Sequence, residues 1–264
     1  MIADHPSFHL KPGTTPLLVS LPHCGELIPD ELRPRYLPRA LAVEDTDWHL
    51  HKLYAFAAEM GASVLQPRAS RFVIDLNRPS DNAPMYPGAN NTELCPTRFF
   101  SGEPLYRDGL APDAAETARR VSTYWRPYHV ALSSELVRLH GLHGHAVLLD
   151  GHSIQAELPW LFEGRLPDLN LGTAGGASCA PALRERLAGV LAAHPSHSHI
   201  VDGRFKGGYI TRHYGRPADG VHAVQMEMGW HCYMTPPHDY DEARAAAVLP
   251  VLRGIVDALI GWQP

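Results

Sequence analysis

The chain has 264 residues, 45% of them hydrophobic and 19% charged, with a formal net charge of −5. That length and composition suit one large α/β domain with a sizeable core. No basic run or interleaved aromatic stripe marks a nucleic-acid surface, and no stretch approaches the roughly 20 apolar residues that span a bilayer, so the expected partner is a small molecule.

Residues 17–21 read as a first strand that stops abruptly at Pro22, His23, Cys24 and Gly25. EDTDWHLHKLYAFAAEMG, residues 44–61, reads as a helix. Trp48, Leu50, Leu53, Tyr54, Phe56 and Ala57 recur at helical spacing, Asp45, Thr46 and Asp47 sit at its start, and Gly61 stops it. Two short strands follow in ASVLQP and RFVIDLN, the second ending in Asn77, Arg78 and Pro79. From there to about residue 112 the chain is rich in Pro, Gly and Asn, an irregular excursion long enough to pass over a site. A helical stretch covers about 113–140, with Pro127 as a break. AVLLD (146–150) reads as a buried strand ended by Gly-His-Ser, APALRERLAGVLAA (180–193) as an amphipathic helix, and HAVQMEM (222–228) as another strand. Residues 239–262 form a terminal helix that Pro250 bends. The alternation predicts a single-domain, three-layer α/β/α fold with a mixed, mostly parallel sheet, in which ligands bind beyond the carboxyl ends of the strands.

Three polar residues share one position in that scheme. His23, His152 and Glu227 each lie at or just after the end of a central strand, and a parallel sheet gathers such ends on one edge. Two histidines and an acid, with one position left open, make a catalytic zinc site. The acid is either Glu26, in a His-x-x-Glu pair with His23, or Asp47 at the mouth of the next helix, where Asp45 and Asp47 are equally placed to cap the helix. A glutamate inside an apolar strand is costly to bury unless it is paired with an arginine or has a task. Burial raises its pKa toward the range of a general base, which makes Glu227 the candidate base. The other histidines, including His49, His51, His140, His143, His145 and the His194, His197, His199 cluster, read as solvated faces or loops. Cys24, Cys95, Cys179 and Cys232 are far apart without a CxxC, and the N-terminal MIADHPSFHLKPGTTP lacks a cationic start and an apolar core. Both predict a cytoplasmic protein.

SLPHCG, DTDWHLHKLY, VIDLNRP, LLDGHS, FKGGYITRHYG and QMEMGWHCYM, in that order and over nearly the whole chain, resemble the N-formylglutamate amidohydrolases, or deformylases, of histidine degradation. The resemblance implies a zinc-dependent exopeptidase fold (phosphorylase/hydrolase-like) in one domain over 1–264. It implies one zinc or similar divalent ion on His23, His152 and an acid, with Glu227 as base; the deformylase pattern favours Asp47 as that acid, and carboxypeptidase relatives favour Glu26. The implied reaction is hydrolysis of N-formyl-L-glutamate to formate and L-glutamate. Such a dicarboxylate calls for fixed cations, for which Arg78, Arg212 and Arg71 are candidates, with Asn77 orienting a carboxylate and His213 and Tyr214 in support. Salt bridges to Asp75 or Asp81 are the alternative for these arginines. Two further readings remain open: a carboxypeptidase-like or muramoyl-amide hydrolase, and a non-catalytic metal-binding protein on the same fold.

Overall fold

The computed structural model describes residues 3–85 and 90–264; residues 1 and 2 of the N-terminal stretch and 86–89 of the irregular excursion lie outside the described residues. In chain order the main elements are β1 (Ala3–His5), β2 (Phe8–Lys11), β3 (Leu17–Ser20), α1 (Leu50–Leu53), α2 (Ala55–Glu59), β4 (Ser63–Pro67), α3 (Ala114–Arg120) and α4 (Arg126–His143). They continue with β5 (Ala146–Ile154), β6 (Leu169–Gly172), α5 (Pro181–Ala192), β7 (His199–Val201), α6 (Tyr209–Tyr214), β8 (Val221–Gly229) and α7 (Glu242–Ile260). The strands form one sheet in the order β1-β2-β4-β3-β5-β8-β6-β7. Its centre, β4-β3-β5-β8, is parallel, and antiparallel pairings add β2 on one side and β6 on the other.

Period-2 alternation along the central strands divides the core. Val147, Leu149, Val224, Met226 and Met228 pack with residues of α1, α2, α5 and α7 on one face. Ala146, Leu148 and Ala223 pack with Leu132, Leu136 and Leu139 of α4 and Ile210 of α6 on the other. This second face turns polar toward the strand ends, where Ala146 and Leu148 are followed by Asp150 and His152, and Val221 and Ala223 by Gln225 and Glu227. Both sets stay buried, so the face that stabilises the fold at one end presents chemistry at the other.

Several elements differ from the sequence reading. RFVIDLN is not a strand. Its carbonyls take side-chain donors from other elements instead of a ladder: Tyr36 Oη donates to the Phe72 carbonyl (2.8 Å), Arg120 Nη1 to Val73 (3.0 Å) and His129 Nε2 to Leu76 (2.9 Å). An apolar run can therefore be fully buried without strand neighbours. Residues 44–49 are not helical; His49 adopts a left-handed φ of 59°, and only α1 and α2 form beyond it. Asp45 and Asp47 leave that helix uncapped, because Asp45 accepts the Phe100 N–H (2.8 Å) and Asp47 points elsewhere. Pro127 sits at the start of α4 after a π-helical turn, Val121–Trp125. The carbonyl four residues before it, Thr123, accepts the Ser7 hydroxyl (2.8 Å) in place of the N–H that proline lacks. β1, β2, β6 and β7 were not foreseen; they are short and get their stability from pairing with longer neighbours.

His129 ties α4 to the segment that enters the site. Nε2–H donates to Leu76 and Nδ1 accepts the Tyr214 hydroxyl (2.9 Å), and burial pushes the imidazole down to about 3. The unfolded side chain binds its proton near 6.5, so between these values the unfolded state holds the extra proton. Stability is therefore fully present above about pH 6.5 and falls as pH drops through that window, by at most about 1.4 kcal/mol per pH unit from this group. Denaturant titrations of wild type and His129→Gln between about pH 4 and 6.5 should show a shallower acid limb in the variant. Equal slopes would assign the acid sensitivity to other groups.

Candidate active site

The site depends on unequal strand lengths. Ser20, the last residue of β3, pairs with Asp150, and β5 and β8 continue past it with His152 opposite Glu227. His152 and Glu227 thus lie inside long strands rather than after their ends, on one face of the sheet. The turn after β3 brings His23 over the overhang; its ring centroid is 4.8 Å from that of His152. Asp47 N–H donates to the His23 carbonyl (3.0 Å), which fixes the acid's backbone beside the turn.

The two imidazoles address one carboxylate. Asp47 Oδ2 lies 3.2 Å from His152 Nδ1 and 3.7 Å from His23 Nδ1. Each ring is held from behind at Nε2, His23 by Asp75 (2.7 Å) and His152 by Asp150 (3.1 Å). Asn77 Nδ2 lies 3.1 Å from Asp150 and 2.9 Å from His152 Nε2, while its Oδ1 accepts the Ile210 N–H (2.8 Å). Gly208 permits this, since a Cβ there would sit 2.4 Å from Asn77 Nδ2. Charge is shared unevenly. Burial and the Arg71 guanidinium hold His23 below the ordinary histidine range, whereas Asp150 and Asp47 overcome burial and hold His152 well above it. Burial opposes ionisation of Asp75, but His23, Arg78 and Arg71 outweigh it and keep that carboxyl well below the usual range.

His23, Asp47 and His152 offer donor atoms within 4.8 Å of one another, all buried. Two nitrogens and one oxygen, with carboxylates orienting both rings, match the ligand set and outer-shell support of a divalent-ion site with an open position. The residues fit such an ion. Positive charge already gathers there, as the proton of His152 and as Arg71 Nη1, 3.2 Å from His23 Nδ1. Beside them, burial pushes Glu227 up to about 8, with His152 opposing and Asp47 adding to the rise.

His23, Asp47, His152, Glu227, Arg71, Asn77 and Arg78 line one cavity of about 80 Å³, several times the ~10–15 Å³ that one water needs. Arg212 does not reach it. It lies on α6, donates from Nε to the Gly207 carbonyl (2.8 Å) and lines a separate cleft with Lys206 and Ser178. His213 and Tyr214 also lie outside the cavity lining; Tyr214 instead supports His129. Arg71 stacks on Phe100 (4.5 Å) and binds Asp75 Oδ2 (2.8 Å), so its expected salt bridge exists within the cavity wall. Arg78 donates to the Thr92 carbonyl (3.0 Å) and hydroxyl (2.8 Å). Asn77 lines the cavity while its amide holds Asp150 and α6. Glu26 is exposed, which removes the His-x-x-Glu arrangement, and Asp45 is occupied by Phe100. The sequence reading missed Asp75, Asp150, Gln225 and Arg204. The first two carry the same signal as Glu227, an acid inside an apolar run.

A pocket able to hold a divalent ion, beside a buried glutamate that burial pushes up to about 8, has the chemistry of a small-molecule hydrolase. A family model described as N-formylglutamate amidohydrolase matches residues 15–234. The chain is 50% identical over 258 residues to the N-formylglutamate deformylase of Pseudomonas putida, covering 97% of this chain and 96% of that one. It is 48% identical over 254 residues to the N-formylglutamate deformylase of Pseudomonas aeruginosa, covering 96% and 95%. The crystal structure of N-formylglutamate amidohydrolase from Ralstonia eutropha JMP134 aligns with a TM-score of 0.80 at 25% identity, over 96% of this chain and 97% of that one. A gene product of Agrobacterium tumefaciens, Atu2144, shares the fold with a TM-score of 0.69 at 19% identity, over 97% and 95%. The chain belongs to the N-formylglutamate amidohydrolase family.

The two rival acids differ in their surroundings. Asp47→Ala should lower bound divalent metal, measured by elemental analysis after dialysis, far more than Glu26→Ala. Metal content unchanged in Asp47→Ala would remove Asp47 from the ligand set.

Proposed function

We infer that the protein hydrolyses the formamide of N-formyl-L-glutamate to formate and L-glutamate. The observation that carries this reading is the convergence of His23, Asp47, His152 and Glu227 on one cavity in a chain half identical to deformylases over nearly its full length. His23, His152 and Asp47 would hold the ion, and their two nitrogens and one oxygen suit zinc. When bound there it supplies Lewis acidity and a lowered pKa for water.

The chain's own residues divide the rest. Asp75 and Asp150 hold the imidazoles so that Nδ1 of each faces Asp47. Glu227, once ionised, accepts a proton from the attacking water at its carboxylate and delivers it to the departing nitrogen, so the C–N bond breaks as the amine leaves protonated. Gln225 Nε2 lies 3.5 Å from Glu227 Oε2, and Gly208 N–H fixes the Gln225 amide from behind (2.7 Å), which orients the base. Arg71, Arg78 and Arg204 line the cavity and are the cations available to the substrate's two carboxylates. Phe100 and Phe162 close its wall and exclude solvent from the reacting amide. The reaction is the final step of a histidine degradation route, run in the cytoplasm by one catalytic domain over 1–264 of the zinc-dependent exopeptidase class. The family's motifs and their order support that placement. No helix among the described residues is long and apolar enough to cross a membrane.

Formate release from N-formyl-L-glutamate by the zinc-loaded protein is the direct assay, and its absence would overturn the reading. Glu227→Gln should retain metal and lose turnover by about 10²–10⁴-fold. Loss of metal in that variant would make Glu227 a ligand. Arg204→Lys keeps the charge but not the planar fork, so KM for the dicarboxylate should rise with metal content unchanged. Normal KM in this variant would confine carboxylate recognition to Arg71 and Arg78.

A further inference from the structure

Asp168, His231 and Cys232 form a second convergent group outside this cavity. Asp168 precedes β6, and His231 and Cys232 lie in the 3-10 turn Trp230–Cys232 that follows β8. β6 and β8 run antiparallel with Leu169 opposite Met228, so the start of one strand meets the turn after the other. Gly229 N–H donates to the Asp168 carbonyl (2.9 Å). The His231 ring folds back over Gly229, where a Cβ would sit 2.4 Å from its Cε1. His231 Nε2 then lies 2.6 Å from Asp168 Oδ1 and 3.8 Å from Cys232 Sγ.

A Cys-His-Asp trio first suggests a nucleophile relay, and the geometry excludes it. Thiol and carboxylate address the same imidazole nitrogen, so the ring cannot take a proton at one nitrogen while being held at the other. Three chemically different donors aimed at one point suit a cation instead. We propose that Asp168 Oδ1, His231 Nε2 and Cys232 Sγ bind a divalent ion of the borderline-soft class, zinc or cobalt rather than magnesium or calcium. Tetrahedral bonds of about 2.0–2.3 Å set donors roughly 3.3–3.6 Å apart. The Cys–His spacing is already close to this, and the His–Asp contact opens by under about 1 Å as the ion replaces the shared proton. Ser198 N–H holds the other Asp168 oxygen (2.9 Å), which steadies the carboxylate. Cys232 is buried, while the side chains of His231 and Asp168 are 32% and 23% exposed. An adjoining surface cavity of about 330 Å³, lined by His231, Trp230, Arg165 and Arg244, gives entry and leaves a fourth position for water or an anion. Such an ion clips β6 to the end of β8, two residues beyond Glu227.

Cobalt titration of the full chain tests this site, because a thiolate ligand gives a sulfur-to-cobalt charge-transfer band in the near ultraviolet that a His–Asp–His group lacks. The band should develop in wild type and in His23→Ala and be absent in Cys232→Ser. In His231→Gln, a partly exposed position that carries little folding risk, apparent cobalt affinity read from the band should fall about tenfold or more. Zinc beyond the first equivalent should also raise the melting temperature of wild type and leave that of Cys232→Ser unchanged. Absence of the band at every cobalt concentration, its persistence in Cys232→Ser, or unchanged affinity in His231→Gln would each overturn the proposal.

Discussion

Two imidazoles must turn the same nitrogen toward a single carboxylate, and the rest of the site follows from how that is enforced. An imidazole flips freely unless its far nitrogen is engaged, and here Asp75 and Asp150 engage them. Those acids need support of their own because both are fully buried. Asp75 obtains it from Arg71, the Asn77 N–H and nearby Arg78, and Asp150 from Asn77. Asn77 in turn receives the first turn of α6 through the Ile210 N–H. A chain of hydrogen bonds, charge-assisted at the carboxylates, therefore runs from the donor atoms to a helix, which is how polar groups are held buried at this end of the sheet.

The overhang of β5 and β8 makes this arrangement possible. A strand that ended level with β3 would leave His152 in a loop, with a backbone free to wander. Pairing over nine register positions from Ala146 to Ile154 holds it to the sheet instead. The same pairing places Glu227 beside His152 without help from side chains. Helix α4 contributes at a distance, since His129 clamps Leu76 one residue before Asn77.

What could be read from the sequence was whatever is local. β3, β5 and β8 show as apolar runs broken by His or Glu, α5 and α7 as amphipathic periods, and the strand-end logic gathers His23, His152 and Glu227 at one edge. What could not be read depends on partners distant in the chain. RFVIDLN has the composition of a strand, but its carbonyls go to Tyr36, Arg120 and His129, none of which its own pattern announces. The helix expected over 44–61 loses its first turn because Asp45 and Asp47 are drawn to Phe100 and the histidines. Arg212 and Arg204 are equally plausible in one dimension. Only the direction of α6 separates them, placing Arg212 on a different cleft while the segment before the helix turns Arg204 inward.

Charge balance ties the protonation of the buried Glu227 to the cations the site can hold. With the carboxyl groups ionised and both imidazoles neutral, Asp47, Asp75, Asp150 and Glu227 oppose Arg71, Arg78 and Arg204, four acids against three guanidiniums, and the excess is negative. The structure responds by favouring the proton on Glu227 and on His152. A divalent cation held by His23, Asp47 and His152 would bring the same two positive charges as those protons. It would then disfavour both protons, leaving Glu227 as an ionised acceptor and His152 as a neutral donor. Base activation would thus follow from occupancy of the site itself, because ion and protons compensate the same buried carboxylates.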